Sequence, residues 1–457
     1  MNKIINSNDI KKQISEISNL FNSDVIEDIA RFTGFVERTS KITGVIFLSI
    51  FVLGLNLYEK PTLQQLIGLL KNIVPDLEIT KEGFQQRINE HAVQFFEYML
   101  SQAINISTKE IDLKLISHFN RVLILDSTVI ELPKELSKLF KGKGGSASAS
   151  SVKIQFCYDL KLGKFFYLIQ DGVSSDVKYD NNFIDKLEEN DLIIKDLGYF
   201  NPQVFIDTSM KGAYYLSRLK SDTNVYIKNE KDEIEVLNME KFLSQIDSIK
   251  EIEIYIKKDK QLTKTRLVAE KVPEDVKNTR LRKLNRNCQK EGRKPKEITK
   301  LFQSYNLFIS NVPKDLLSMN DFRKLYVLRW QIELIFKSWK SNFNLDKVSG
   351  IKPERIKCML YARLILIFIS TKIIFQIRNI YWLETGKEIS EFKASKHLLL
   401  IFPEILKVVI KKQATKKIIS ILNNAIEFIV KNCTKINQKD SVYPLDLLNS
   451  LTLASPI

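Results

Sequence analysis

The amino-acid sequence predicts an α/β protein in which a mixed sheet lies between helical N-terminal and C-terminal regions. From Asn8 to about Ser117, apolar residues recur every three or four positions, which is typical of helices. At "RVLILDSTVIELP", Arg121–Pro133, the pattern changes to a continuous apolar run that is typical of a buried central strand. Helical spacing returns at Tyr326 and continues to about Asn449.

Within the N-terminal region, helix-breaking residues divide the pattern at Gly34, Pro61, Pro75 and Gly83. The amphipathic run Leu77–Leu100 could form a helix-turn-helix with Pro61–Leu70, as in many DNA-binding proteins. An ordinary pair of packed helices explains the same spacing equally well. The sequence therefore predicts a small helical unit here and leaves its contact with DNA open.

The central segment predicts a sheet in the order strand, strand, strand, helix, strand, helix, strand. After the first strand, "VKIQFCYDL" and "KFFYLIQDG" alternate and are joined by a hairpin near Gly163. A short helix at Asn181–Asn190 precedes the strand in "DLIIKDLGYF", Asp191–Phe200, and "AYYLSRLK", Ala213–Lys220, follows. This order fits a mixed sheet of the ribonuclease H type. Residues 221–312 interrupt it with further strand-like pieces and a basic helix.

Composition and charge restrict the kind of partner. The 457 residues predict two or three structural units, and 70 Lys+Arg against 54 Asp+Glu give a net charge of +16. Such a charge suits an anionic polymer or an anionic membrane surface. Four scattered cysteines and three histidines argue against a zinc site and favour a reduced, cytoplasmic setting. The apolar runs Ile42–Tyr58 and Met359–Ile377 are shorter or more interrupted than the roughly 20 residues of a bilayer span, so we expect buried helices.

Two predicted strands end in an aspartate, Asp126 and Asp196. Open sheets build their sites at the carboxyl ends of strands, so neighbouring strands would bring these carboxylates together. Two such carboxylates repel each other unless they share a divalent cation. Asp159 and Asp171 also end predicted strands, and Asp126 could simply cap a turn, so position alone does not identify metal ligands.

The stretch "YVLRWQIELIFKSWK", Tyr326–Lys340, predicts one helix that is buried on most sides. At 100° per residue its polar residues fall within roughly 80° of one another, and they are Tyr326, Arg329, Glu333, Lys337 and Lys340. An exposed stripe with ordinary ion pairs is one explanation. A stripe that borders an anion-binding site is the other.

Tyr326, Arg329, Glu333 and Lys340 match at full spacing the Y-(2)-R-(3)-E-(6)-K signature of bacterial transposases of the insertion sequence 4 family, which are DDE transposases. With the two strand-terminal aspartates, in "LDST" and "KDLGYF", the resemblance covers essentially the whole chain.

The resemblance implies that Asp126, Asp196 and Glu333 are the catalytic carboxylates and hold two Mg²⁺ or Mn²⁺ ions. One ion would activate a water or a DNA 3′-hydroxyl, and the other would stabilise the leaving oxygen. Tyr326, Arg329 and Lys340 would contact phosphates near the transposon end. The role of Lys337, which belongs to no motif, stays open.

The DNA-binding surface is expected in the insertion. Residues Lys277–Lys300 hold ten Lys/Arg against two Glu, which suits contact with phosphates by Arg280, Arg282, Lys283 and Arg286. A solvated basic helix is the alternative. Several members of the family it resembles form a DNA hairpin at the transposon end and hold a flipped base on an aromatic ring, commonly Trp. Here Trp330, Trp339 and Trp382 all lie outside the insertion, so the sequence leaves a hairpin step open. Tyr305 could take that role or pack in the core.

The resemblance implies a cut-and-paste DNA transposase acting on double-stranded DNA, namely terminal inverted repeats and target DNA. It implies a homodimer in the DNA complex, no membrane, and a bacterial cytoplasmic, nucleoid-associated location. The alternatives are a metal-dependent nuclease without strand transfer and a catalytically silent DNA-binding protein. The expected division is 1–117, a helical DNA-binding domain; 118–220, the first part of the catalytic core; 221–312, the β-rich insertion; 313–350, the core helix with Glu333; and 351–457, a helical region for dimerisation.

Overall fold

The computed structural model describes residues 7–38, 40–110, 116–145, 147–174, 183–348 and 350–435, together with Leu445. The predicted α/β class is confirmed, because helices pack on both faces of a mixed sheet that contains ten strands in the described residues. The predicted helical runs beyond residue 435 lie outside the described residues, and so does the start of the helix predicted at Asn181–Asn190.

The sheet has the order β3-β2-β1-β4-β5-β10-β9-β8-β6-β7. Its strands are β1 Val122–Glu131, β2 Ser151–Asp159, β3 Lys164–Asp171, β4 Leu192–Lys195, β5 Tyr214–Arg218, β6 Tyr226–Lys228, β7 Ile234–Val236, β8 Ile249–Lys258, β9 Gln261–Lys271 and β10 Tyr305–Ser310.

The first five strands form the predicted unit. β3, β2 and β1 are antiparallel, whereas β4 and β5 run parallel to β1. Gly163, with φ +61, makes the predicted hairpin between β2 and β3. Parallel strands β1, β4 and β5 therefore present their carboxyl ends at one edge, where open sheets build their sites.

The inserted strands extend the same sheet. β10 pairs antiparallel with β5 on one side and with β9 on the other, and Phe308 lies between Arg218 and Val268. The insertion is thus hydrogen-bonded to the strand that follows Asp196 in the core.

Alternate residues of each strand divide the core in two. Ile124, Ile194, Leu216 and Phe308 belong to a large cluster on one face. Leu125, Ile193, Tyr215 and Ile309 belong to a smaller cluster on the other face. This alternation follows from the two-residue period of a strand.

Helices cover both faces of the sheet. The smaller cluster is covered by α7 Pro202–Met210, α8 Met239–Ser244 and α10 Glu297–Phe302, while α9 Glu274–Lys290 is the predicted basic helix. The larger cluster is covered by α11 Phe322–Val327, α12 Trp330–Ser341, α13 Pro353–Thr385, α14 Glu391–Ile410 and α15 Thr415–Asn432. Trp339 on α12 packs edge-on against Phe156 of β2, with ring centroids 4.7 Å apart.

The N-terminal region is helical, as predicted. Its helices are α1 Asn8–Leu20, α2 Ser23–Phe32, α3 Gly44–Leu57, α4 Leu63–Ile73, α5 Lys81–Arg87 and α6 Glu90–Asn105. The expected single run Leu77–Leu100 was wrong in one respect, since Asn89 caps a new helix by accepting a hydrogen bond from the backbone N–H of Ala92. The second helix of the proposed helix-turn-helix is therefore only the short α5.

Helix α13 is the centre of the larger cluster. Among the described helices it is the one long and apolar enough to cross a membrane, but 94% of its most apolar window is buried inside the protein. It packs against α6, α3, α1 and α14. A core helix is therefore the better description, in agreement with the interruptions by Arg363 and Lys372.

Buried cations of α13 bind backbone carbonyls of the N-terminal region. The Lys372 ammonium donates to the Ile106 carbonyl at 2.6 Å, and the Arg363 guanidinium donates to the Glu59 carbonyl at 2.7 Å. Burial lowers the pKa of Lys372 to about 8. These hydrogen bonds satisfy charged groups that would otherwise be costly inside the core.

Candidate active site

The two aspartates lie on neighbouring strands. Asp196 follows the end of β4 as predicted, but the prediction that Asp126 ends its strand was wrong, because β1 continues in its pairing with β2 as far as Glu131. β1 and β4 are paired with Ile124 opposite Ile194. Continuing this parallel register by two residues places Asp126 level with Asp196, on the face of the larger cluster. The strand register therefore supports the prediction that the two carboxylates lie next to each other.

The turn after Asp196 is fixed to the sheet. Asp196 precedes a 3₁₀ turn, Leu197–Tyr199, and the buried Tyr199 hydroxyl donates to the Gln155 side chain at 2.6 Å. Gln155 on β2 lies opposite Ser127, the neighbour of Asp126. One buried hydrogen bond therefore connects the segments that carry the two aspartates.

The other strand-terminal aspartates lie elsewhere. Asp159 accepts backbone hydrogen bonds from Lys161 and Leu162 in the β2–β3 hairpin. Asp171 ends β3, two strands away from β1. Neither joins Asp126 and Asp196, and this separation could not be read from sequence position.

The single helix expected at Tyr326–Lys340 is two helices. α11 ends at Val327 and α12 begins at Trp330, although Leu328 and Arg329 keep right-handed helical dihedral angles. The turn is tightened, because the Arg329 N–H donates to the Tyr326 carbonyl at 3.1 Å. Continuous helical dihedrals explain why the polar stripe survives this break.

The expectation of burial on most sides was wrong for one side of this segment. Trp330 is 53% exposed, Leu334 49% and Val327 38%. The opposite side, with Ile332, Ile335 and Trp339, is buried against the sheet and α13. The segment thus has one buried side and one exposed side, and the exposed side is largely apolar.

Arg329 joins the candidate carboxylates. Its guanidinium lies 2.6 Å from a Glu333 carboxylate oxygen and 3.7 Å from an Asp196 oxygen. Arg329 is only 7% exposed, and its guanidinium lies over the aromatic rings of Tyr326 and Trp330. The positive charge that was expected to contact DNA phosphates is therefore placed between two acidic groups.

Tyr326 also faces the site. Its ring packs on Phe308 with centroids 5.3 Å apart, and its hydroxyl donates a long hydrogen bond of 3.4 Å to Asp196. Burial, followed by the charge of Asp196, raises the pKa of Tyr326 to about 12. The hydroxyl is accordingly a stable donor to this carboxylate.

The charges of these groups affect one another. Burial raises the pKa of Asp126 to about 6; the charges of Asp196 and Glu333 raise it further, and the Ser127 N–H and Arg329 oppose the rise. Burial lowers the pKa of Arg329, but Asp196, Tyr326 and Glu333 more than compensate and raise it. Three carboxylates and one guanidinium therefore share a single electrostatic site.

The donor set fits a divalent cation, since carboxylate oxygens are the preferred ligands of hard metal ions. The raised pKa of Asp126 is consistent with a place where a cation would relieve repulsion. In the described residues, no three acidic, histidine or cysteine side chains are close enough to hold an ion together. Arg329 stands between two of the carboxylates, so the arrangement would have to change for all three to bind one ion.

The remaining candidate residues lie outside this group. Lys340 is partly exposed near the end of α12, seven positions and roughly 10 Å along the helix from Glu333. Tyr305 is 6% exposed and its hydroxyl donates to the Leu243 carbonyl at 2.9 Å, so core packing describes its position.

The basic helix has two kinds of arginine. Arg280 donates to the Asn306 side chain at 2.7 Å and to the Tyr305 carbonyl, which ties α9 to β10. Arg282, Lys283 and Arg286 are exposed, and in the described residues none of them has an ion-pair partner. The exposed three are available to an external anion, whereas Arg280 already donates hydrogen bonds to β10 and keeps a charge that these neutral acceptors do not compensate.

The chain resembles known proteins over most of its length. Residues 117–369, which contain Asp126, Asp196 and Glu333, match the family model of the transposase DDE domain. The chain belongs to the DDE transposases. Among curated proteins it is 31% identical to the transposase of insertion sequence element IS231F from Bacillus thuringiensis subsp. israelensis, with 95% of this chain and 94% of the relative covered. It is 32% identical to the transposase of IS1151 from Clostridium perfringens, with 95% of both chains covered.

Membership of the DDE transposase family indicates which reaction this protein catalyses. DDE transposases cleave DNA and transfer strands with the help of divalent metal ions, and their catalytic domain has a ribonuclease H-like fold. The sequence predicted a mixed sheet here, and β1 to β5 form one with the spatial order β3-β2-β1-β4-β5.

Proposed function

We propose that the chain is a cut-and-paste transposase of the insertion sequence 4 family. The observation that carries this proposal is the convergence of Asp126, Asp196 and Glu333, with Arg329 and Tyr326 of the same signature, at one edge of the sheet. Asp126, Asp196 and Glu333 would hold two Mg²⁺ or Mn²⁺ ions, which supply an activated nucleophile and stabilise the leaving oxygen.

The substrate of this reaction would be the terminal inverted repeats of the element, joined afterwards to target DNA. The expected domains follow the sequence prediction: residues 1–117 for DNA binding, 118–220 and 313–350 for the catalytic core, 221–312 for the insertion, and 351–457 for dimerisation. Two copies on paired ends would work in the bacterial cytoplasm, on the nucleoid. The net charge of +16 supports an association with DNA.

A strand-transfer assay tests this function. With Mg²⁺ and pre-cleaved ends of the element, the protein should join a labelled 3′-end to a target plasmid. The same assay on uncleaved ends should give cleavage first and joining later. Cleaved ends without any joined product would instead identify a nuclease, and binding without cleavage would identify a silent DNA-binding protein.

The exposed basic residues of α9 provide a second test. Changing Arg282, Lys283 and Arg286 together to alanine should weaken DNA binding at least tenfold, because three phosphate contacts would be lost. The slope of log K against log salt should fall by about 3, at roughly 0.9 per phosphate. Fluorescence anisotropy at several salt concentrations measures both quantities.

A matched control comes from the C-terminal helices. Lys411, Lys416 and Lys417 are likewise exposed, and their triple alanine variant loses the same formal charge. If both triple variants lose affinity and slope equally, the effect is one of net charge and α9 is no specific surface.

A further inference from the structure

Arg218 lies in the row formed by the two aspartates. β4 and β5 are parallel with Lys195 opposite Ser217, so the next residues, Asp196 and Arg218, are level and point to the same face. With Asp126 level with Asp196 on β1, one row crosses three neighbouring parallel strands. Arg218 is therefore the residue next to Asp196 in this row, and it is cationic.

The surroundings of Arg218 are cationic. Arg218 is partly exposed, and none of the ion pairs found in the described residues involves it. Burial lowers the pKa of Arg280, and the charges of Arg218 and Arg323 lower it further, so the three arginines lie within electrostatic range of one another. Glu270 is the acidic residue in this group, and it is already engaged by Arg323 at 3.3 Å and by the Asn306 amide at 2.8 Å.

Open space continues from this group along the sheet. A cleft of about 440 Å³ lies over β10 and β9, and its lining includes Phe308, Glu270, Lys271 and Arg323. Phe308 is the residue opposite Arg218 and lies on the same face as the aspartates. The cleft thus begins beside the row and extends to Pro273, the residue directly before α9.

We infer that Arg218 binds a backbone phosphate of the DNA strand held at Asp126 and Asp196, and that this strand continues past Arg323 and Arg280 to α9. Arg218, Arg280 and Arg323 outnumber Glu270, the carboxylate that pairs with Arg323, and a phosphodiester would supply further negative charge. Arg329 cannot supply this charge while it binds Asp196 and Glu333. The inference rests on the proposed function, because it adds a phosphate contact to the same site.

The test is a binding measurement in EDTA with duplexes that carry the element's own terminal sequence. Arg218→Ala should bind about 10- to 100-fold more weakly than the unchanged protein, and its salt slope should fall by about 1. Arg218→Lys should keep most of the slope, because it keeps the charge. Lys416→Ala is the control for the loss of one exposed cation and should match the unchanged protein in affinity.

A second set of duplexes locates the contact. Each duplex carries one neutral methylphosphonate at or next to the cleavage position. On the duplex whose neutral position is the phosphate that Arg218 contacts, Arg218→Ala and the unchanged protein should bind with equal affinity. On the other duplexes Arg218→Ala should still bind more weakly than the unchanged protein. If Arg218→Ala does not fold, Arg218→Lys is measured on the same duplexes instead. Its smaller loss of affinity relative to the unchanged protein should disappear on the same duplex.

Equal affinity and salt slope for Arg218→Ala and the unchanged protein would overturn the inference. So would a deficit of the same size on every methylphosphonate duplex, because the effect would then be general. The proposed function is judged separately by cleavage and joining in Mg²⁺. Normal strand transfer together with normal binding by Arg218→Ala would remove the inference and leave the function standing.

Discussion

Alanine at Asp126, Asp196 or Glu333 will abolish cleavage of the element's ends while DNA binding persists. Each carboxylate would provide oxygen ligands for the metal ions, whose stabilisation of the transition state is worth several kcal/mol, so we expect a loss of about a thousandfold or more. Binding in EDTA should be unchanged or slightly tighter, because a negative charge next to a phosphate is removed. Cleavage is measured on labelled ends in Mg²⁺, and binding by anisotropy.

The control for these variants is Asp171→Ala. Asp171 also ends a strand of the same sheet, but it lies two strands away from β1. It should cleave close to the normal rate. Cleavage by an Asp126, Asp196 or Glu333 variant at the normal rate would remove that residue from the catalytic assignment, and loss of cleavage by Asp171→Ala would reopen the choice of carboxylates.

Alanine at Arg329 will change how the protein responds to divalent metal ions. In the structure the guanidinium neutralises Glu333 at 2.6 Å and approaches Asp196 at 3.7 Å. Its removal leaves carboxylates that repel one another, and we expect a loss of stability of about 1–3 kcal/mol in EDTA. Because Asp196 and Glu333 are partly exposed, the lower half of this range is the better expectation.

Added Mg²⁺ should stabilise the Arg329→Ala protein more than the unchanged protein. A cation then binds carboxylates that no longer hold a guanidinium, and binding to the folded state raises its stability. Thermal unfolding over a series of Mg²⁺ concentrations measures the effect. Lys337→Ala, on the exposed side of the same helix, is the control and should respond to Mg²⁺ like the unchanged protein. An identical response by Arg329→Ala would mean that Arg329 and the metal do not compete.

Cleavage by Arg329→Ala should also fall, since the sequence signature places this residue among the groups that position DNA. The structure adds that Arg329 must leave Asp196 or Glu333 before it can reach a phosphate. Metal binding and phosphate binding by Arg329 would therefore favour each other.

The sequence predicted the two neighbouring aspartates and the polar stripe because both depend on short-range periodicity. The buried apolar run of β4 ends directly before Asp196, and that of β1 ends before Asp126 although the strand itself continues to Glu131. Helical spacing aligns Arg329 with Glu333 even though the helix is broken between Val327 and Trp330. The break itself leaves no mark in the sequence, because Leu328 and Arg329 retain helical dihedrals.

Features that depend on pairing between distant segments could not be predicted in this way. The position of Arg218 beside Asp196 requires the register of β4 and β5, and the burial of Tyr305 requires α8 and α9 to pack on β10. The exposure of Trp330 also depends on which side of α12 meets the sheet. The sequence did offer one signal for Arg218, namely a cationic residue near the end of the strand that follows "DLIIKDLGYF".

The cations of α13 have a consequence for how the chain can be divided. Lys372 and Arg363 donate to carbonyls of the N-terminal region, and the side chains of α13 fill the space between α6 and the sheet. A fragment that ends near residue 117 would keep its helical sequences but lose the partner against which α6 and α3 are buried. The newly exposed apolar surface would favour aggregation. A soluble fragment of the N-terminal helices therefore needs α13 supplied with it, because the N-terminal region and α13 form one folding unit.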